Sequence, residues 1–140
     1  MASLTLTQAE AVLAAAKDKA DDIGVPMNIA VVDAGNNLTA FARQDGAWLG
    51  SIAIAQDKAF TARAFDAATH DLYEKTQPGG DLYGINVSND GRVITFPGGI
   101  PLTDDNDEIV GAIGVSGGEV EQDQAVAEAG VAAFSTVAAA

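Results

Sequence analysis

The order of periodic segments in this 140-residue chain predicts a single α/β domain spanning 1–140. Its sheet should be antiparallel and built from hairpins, with the first and last helices packed together on it. Three observations carry this expectation. Helical spacing marks both ends of the chain, at Val12, Ala16, Ala20 and Ile23 and again at Val120, Ala127, Val131, Phe134 and Ala138. Short apolar runs between them are separated by turns rich in Asn, Asp and Gly. A Rossmann arrangement is excluded, because strands do not alternate singly with helices and no glycine fingerprint follows the first strand.

The elements follow in order. Thr7 and Glu10 read as a capping box that opens the first helix, and Gly24-Val25-Pro26 closes it. Met27–Val32 and Leu38–Arg43 read as a hairpin around the Asp33–Asn37 turn. The first of these strands is nearly all apolar, which places it inside the sheet or under helices. A second helix is expected over 49–68, with Ile52, Ala55, Ala59 and Ala62 on its narrow face. A short helical turn is expected near Leu72 and Tyr73, whereas 81–89 has no clear assignment. Val93–Phe96 reads as a strand, and the Pro97–Leu102 loop runs into another. Ile109–Val115 is a further strand, in which Gly111 and Gly114 signal close backbone approach. The last helix begins after Ser116-Gly117-Gly118.

Composition narrows the function classes. There are 20 acidic residues against 7 basic ones, a formal net charge of −13, so nucleic acids and anionic membrane surfaces are poor partners. With no cysteine, disulfides and thiolate chemistry are absent. No apolar run approaches a membrane span, and the N-terminus is not an intact signal peptide. The expected compartment is cytoplasmic, or extracellular if a signal peptide has been removed. Hydrophobic residues make up 48% of the chain, but alanine dominates them, so each buries little area and self-association is the expected supplement.

Three regions could carry chemistry. In Pro97-Gly98-Gly99-Ile100-Pro101, paired glycines expose amides that suit an anionic group or a ring edge, although a tight turn explains the same residues. Around Ser116–Asp123, free helix-start amides face Glu119, Glu121 and Asp123, which favours capping over ligand binding. The third region holds Arg43, Asp45, Lys58, Thr61 and Arg63. Three of the seven basic residues fall in this stretch, and Lys58 shares a helical side with Thr61. That local positive charge suits a carboxylate ligand; the alternative is surface pairing of Arg43 and Lys58 with Asp45 and Asp57. His70 is the single histidine, with no cluster at metal spacing around it, so no metal site is expected. Asp104–Asp107 lacks the glycine and terminal glutamate of a calcium loop and reads as a solvated turn.

Taken together, IAVVDAGNNLTAFARQDGA, DKAFTARAF, FPGGIPL and IVGAIGVSGGEVEQDQAVAEAG resemble, in order, the hallmarks of the GlcG/HbpS-like, haem-degrading-domain family. The resemblance covers almost the whole chain and speaks more to membership than to activity. It implies a profilin-like fold with a five-stranded antiparallel sheet, and homo-oligomers as dimers, tetramers or octamers. Some members bind and degrade haem outside the cell with a sensor system. Others form the C-terminal domain of corrinoid adenosyltransferase-like proteins or accompany genes of glycolate and diol metabolism. The family positions fall on Asp33, Gln44-Asp45-Gly46, Lys58, Thr61, Gly98, Gly99, Pro101 and Asp123. Haem-binding relatives use a histidine in or near the first helix as an iron ligand; no histidine precedes His70 here, and His70 does not match that position. Haem is the one cofactor that the resemblance implies.

The combined expectation is an oligomeric protein that binds a small molecule, with a carboxylate as the ligand class. Its pocket would lie between the FPGGIPL loop and the helix of Lys58. Gly98, Gly99 and Arg43 would hold the anionic group, Lys58 and Thr61 would orient it, and Pro101 would stiffen the loop. Lys58 or Asp45 would be the proton-transfer residue if catalysis occurs. The alternatives are a haem-binding and haem-degrading protein, and a structural or regulatory oligomer without catalysis. Aspartate greatly outnumbers glutamate, a pattern compatible with a salt-adapted surface. On that reading, thermal stability falls steeply as salt is removed, and a salt-independent melting temperature would contradict it.

Overall fold

Leu4 decides where the first helix begins. The computed structural model, which describes residues 2–139, buries this side chain and directs its N–H to Val110 O at 3.0 Å. The chain therefore leaves the core at Thr5, the N-cap of α1 (Leu6–Ile23). Thr5 Oγ1 accepts from Gln8 N at 3.1 Å, and Gln8 Oε1 accepts from Thr5 N at 3.0 Å. The capping box expected at Thr7 and Glu10 thus lies two residues earlier, because buried Leu4 and Ala9 staple the helix start. Gly24 ends α1 as expected.

β1 (Asn28–Asp33), β2 (Leu38–Arg43), β3 (Gly99–Thr103) and β4 (Ile109–Ser116) form one antiparallel sheet in the order β2-β1-β4-β3. Two hairpins, β1–β2 and β3–β4, lie side by side through the β1–β4 ladder, in which Asn28 faces Ser116 and Ala30 faces Gly114. Central position explains the apolar run of β1: both of its faces are covered, as its almost continuous burial shows.

Among the described residues the sheet has four strands, which corrects the five-stranded expectation. The missing strand is Val93–Phe96. Its backbone is held by a helix rather than by a ladder: Ile94 N donates to Thr61 Oγ1 at 3.0 Å, and Val93 is buried. Arg92 reinforces this docking, with Nε 3.0 Å from Asp57 Oδ1 and its guanidinium 3.9 Å from the centre of the Phe60 ring. An apolar β-branched run can therefore read as a strand while lying across a helix.

α2 (Gly50–Phe65) is shorter than expected at its C-terminal end, where Asp66 takes a left-handed conformation (φ 52°). α3 (Thr69–Leu72) follows, and short 3-10 turns occupy Glu74–Thr76, Ile85–Val87 and Asn89–Gly91. α4 (Val120–Ala139) closes the fold.

The helices and the sheet make three layers. α1 and α4 cover one face of the sheet, where Val12, Val126 and Phe134 meet Ile29, Val31, Ile113 and Val115. α2 covers the other, where Ala55, Ala59 and Ala62 meet Ala30, Val32 and Ala112. The alanine face of α2 is used within the protomer, and the most exposed large apolar side chains include Trp48, Leu49, Tyr83 and Val87. Among the described residues no helix is long and apolar enough to cross a membrane.

Gly114 shows why α2 must present small residues. A Cβ at this position would run into Ala55 O and Ala59 N, so the helix backbone rests directly on β4. Gly114→Ala should therefore destabilise the protein by about 1–3 kcal/mol or more through overpacking. Urea unfolding measures this, and a variant of unchanged midpoint would contradict the contact.

Candidate functional site

Helical geometry turns Lys58 inward. It shares the sheet-facing side of α2 with Ala55, Ala59, Thr61 and Ala62, all buried. Its side chain has no exposed surface, and Nζ donates to Val115 O at 2.7 Å and to Asp123 Oδ2 at 3.0 Å. Phe96 adds a ring whose centre is 5.0 Å from Nζ. Asp123 comes from the start of α4, and its other oxygen accepts the Gly118 N–H at 2.9 Å. Burial pushes the Lys58 pKa down against the opposing pull of the Asp123 charge. Burial likewise pushes the Asp123 carboxyl up, opposed by Lys58 and by the Gly118 and Gly117 amides. Desolvation dominates at both ends of the pair.

The FPGGIPL loop lies against this pair. Gly98 has φ 128°, and a Cβ there would stand 2.6 Å from Lys58 Nζ, so the position requires glycine on both counts. Its N–H donates to Gln124 Oε1 at 3.1 Å, and the Gly99 N–H donates to Thr69 Oγ1 at 2.9 Å. The two amides expected to receive an anion thus already have partners. Pro101 lies on the edge strand β3, where its missing donor is tolerated. Thr61 sits close to Lys58 in the helix but braces the backbone at Ile94.

Arg43 and Asp45 are elsewhere. Arg43 Nε and Nη2 donate to Ala47 O at 3.1 and 2.8 Å, and both residues line an open polar groove of about 790 Å³ with Lys17, Asp18 and Asp21. The register row Arg43–Asn28–Ser116 separates Arg43 from β4 by two strand spacings, roughly 10 Å. Arg43 and Lys58 are therefore not one cationic site. Their carboxylate neighbours also differ from the surface pairing weighed above: Asp57 meets Arg92.

A different cavity opens on the outer side of the loop. It measures about 640 Å³ and is lined by His70, Tyr73, Lys75, Phe96, Pro97 and Val120 together with the acidic residues Asp71, Glu74 and Glu121. A smaller recess of about 270 Å³ continues beside Gln124. His70 is carried on α3, and its ring Nδ1 lies 3.4 Å from Asp71 Oδ1. Thr69, the residue before it, is buried and tied to Gly99, which links the histidine to the loop. Sequence spacing offered His70 only as the single histidine that a haem alternative could use, because Phe96, Pro97 and Val120 of this cleft come from segments far along the chain. The signal within reach was the Phe96-Pro97 start of the glycine loop. Among the described residues no group of three or more His, Asp or Glu side chains could hold a metal ion.

Removing one member of the buried pair strands the other charge. Lys58→Met or Asp123→Ala alone should each lower stability by about 3–5 kcal/mol. The double variant Lys58→Met/Asp123→Asn, which keeps an acceptor for Gly118, should cost less than the sum of Lys58→Met and Asp123→Asn. Denaturant unfolding of the four proteins in that cycle supplies the comparison, and strict additivity would deny the coupling.

Comparisons with known proteins agree with this fold and with each other. The family model described as haem degrading protein HbpS-like matches residues 4–132. An uncharacterized 15.0 kDa protein from the dhaT–dhaS intergenic region of Citrobacter freundii is 40% identical over 135 residues, covering 96% of this chain and 94% of that protein. The corrinoid adenosyltransferase PduO of the same organism is 39% identical over 133 residues, which span 95% of this chain but 39% of that protein. The crystal structure of a PduOC–haem complex superposes with a TM-score of 0.90 at 38% identity, covering 94% of each chain. The crystal structure of HbpS gives a TM-score of 0.82 at 31% identity, covering 94% of this chain and 90% of the other. With nearly its whole length matched, this chain belongs to the HbpS-like family.

Proposed function

We propose that this protein binds haem, as a homo-oligomer, in the cleft between α3, the Phe96–Pro97 loop and the first turn of α4. The observation that carries this reading is the meeting of one imidazole with apolar walls: His70 shares the cleft with Tyr73, Phe96, Pro97 and Val120. With Nδ1 turned toward Asp71, Nε2 is the nitrogen left to coordinate. The first helix contains no histidine, so the ligation that the family resemblance implied has no counterpart there, and His70 is the available imidazole. Lys75 lines the same cleft and suits a propionate carboxylate.

Haem, when bound, would supply an iron centre that accepts an imidazole and changes oxidation state. The chain's own residues would hold and orient it: Phe96 and Pro97 by apolar contact, His70 as the ligand, and Val120 by excluding water. A relative 38% identical to this chain crystallises as a haem complex, which supports the reading. Support for a free anionic metabolite is weaker, because the Gly98 and Gly99 amides and the Lys58 ammonium are engaged inside the fold. Exposed Trp48 and Leu49 support association with further copies, since side chains of that size gain most from burial.

Titration of the protein with haemin should give a saturable shift of the Soret band, lost or altered in His70→Ala. Light scattering on the same samples should report a mass above one protomer. Absence of any Soret shift at micromolar protein would overturn the haem reading, and a monomeric mass would overturn the assembly.

A further inference from the structure

We infer that the buried Lys58–Asp123 pair is the positioning element of the haem cleft, setting from behind the wall against which the ligand rests; this rests on the haem reading above. Phe96 has two sides with different neighbours. One faces the Lys58 ammonium, 5.0 Å from the ring centre, and the residue also lines the cleft. Gly98, two residues on, is held as closely: Lys58 Nζ stands 2.6 Å from where a Cβ would be, and Val115, whose carbonyl accepts from Nζ, donates its own N–H to Gly98 O at 2.9 Å. α4 grips the same segment through consecutive residues, Asp123 bonding to Lys58 and Gln124 to the Gly98 amide. Val120 and Glu121, one turn earlier on α4, line the cleft.

The ammonium thus stands at the junction of α2, β4, α4 and the loop, while having no surface of its own. It does not touch the ligand. It acts through Phe96 and Gly98, and through Gly99 and Thr69 its influence reaches the helix that carries His70. Loss of either charge would free Phe96–Gly99 to move relative to α4 and widen the cleft.

Two measurements on the full-length protein test this, one of them independent of haem. In Asp123→Asn and Lys58→Met, hydrogen exchange at the Gly98 and Gly99 amides should quicken about tenfold or more relative to the Gly114 amide. Transfer of haemin from these variants to excess apomyoglobin should quicken by about 10–100-fold, in the range seen for outer-shell residues. Val126→Ala, a buried change on α4 away from the loop, controls for general loss of stability and should leave both ratios as in the wild type. Wild-type exchange at Gly98 and Gly99 in both charge variants would overturn the positioning role. Equal acceleration in Val126→Ala would overturn it too. Wild-type protein that takes up no haemin would overturn the haem reading, while the exchange data would still decide what the pair holds.

Discussion

An ammonium and a carboxylate meet inside this fold with almost no contact with solvent, and the arrangement of its parts turns on that contact. Each ion loses several kcal/mol of hydration on burial, and their attraction returns that only when geometry and further hydrogen bonds are good. Here Val115 O and Phe96 complete the surroundings of Lys58, and the Gly118 amide completes those of Asp123. The pair is weak evidence for stability in itself. Its structural consequence is specificity: the sheet-facing side of α2 is largely alanine, and similar small side chains define a helix's rotation and register poorly. A single long side chain with one acceptable partner removes that ambiguity.

Small residues make the contact geometrically available. α2 lies directly on the backbone of β4 at Gly114, and the loop lies directly on Lys58 at Gly98. Close approach brings α2, β4 and α4 within reach of one side chain. The cost is a face of the core with little apolar area per residue, and several large apolar groups, Trp48 and Leu49 among them, stand on the surface, while others such as Phe134 and Leu102 are buried. Acidic charge and apolar exposure are thereby distributed over the outside of the molecule, while one of the scarce cations is committed to the interior.

That commitment also separates the two cavities chemically. The groove at Arg43 is open and polar, with carboxylates beside its cations. The cleft at His70 also has carboxylates in its lining, Asp71, Glu74 and Glu121, but adds aromatic and proline walls and one imidazole to its lysine, and it is bounded by the loop that the ion pair supports. The apolar walls of the second match a planar, largely apolar ligand better than the first does.

Much of this was legible in the chain. Periodicity located the helices at both ends, and alternation beside an Asn- and Gly-rich turn located the first hairpin, because those patterns are local and repeat within a few residues, whereas most of β3 read as a loop. The four quoted segments, taken in order, identified the family. Asp123 and Lys58 were visible separately, one as a helix-start acid and the other as a rare cation. Their pairing was not, because 65 positions separate them and spacing carries no information at that range. The same holds for Val93–Phe96, whose apolar run suits a strand but whose amide at Ile94 finds Thr61, and for His70, whose cleft is assembled from α3, the glycine loop and α4. Local chemistry in the sequence determined the elements, their order and the acidic, cysteine-free character of the chain. Only tertiary packing decided that the expected binding lysine is an interior charge, because solvation depends on what covers a side chain rather than on its neighbours in sequence.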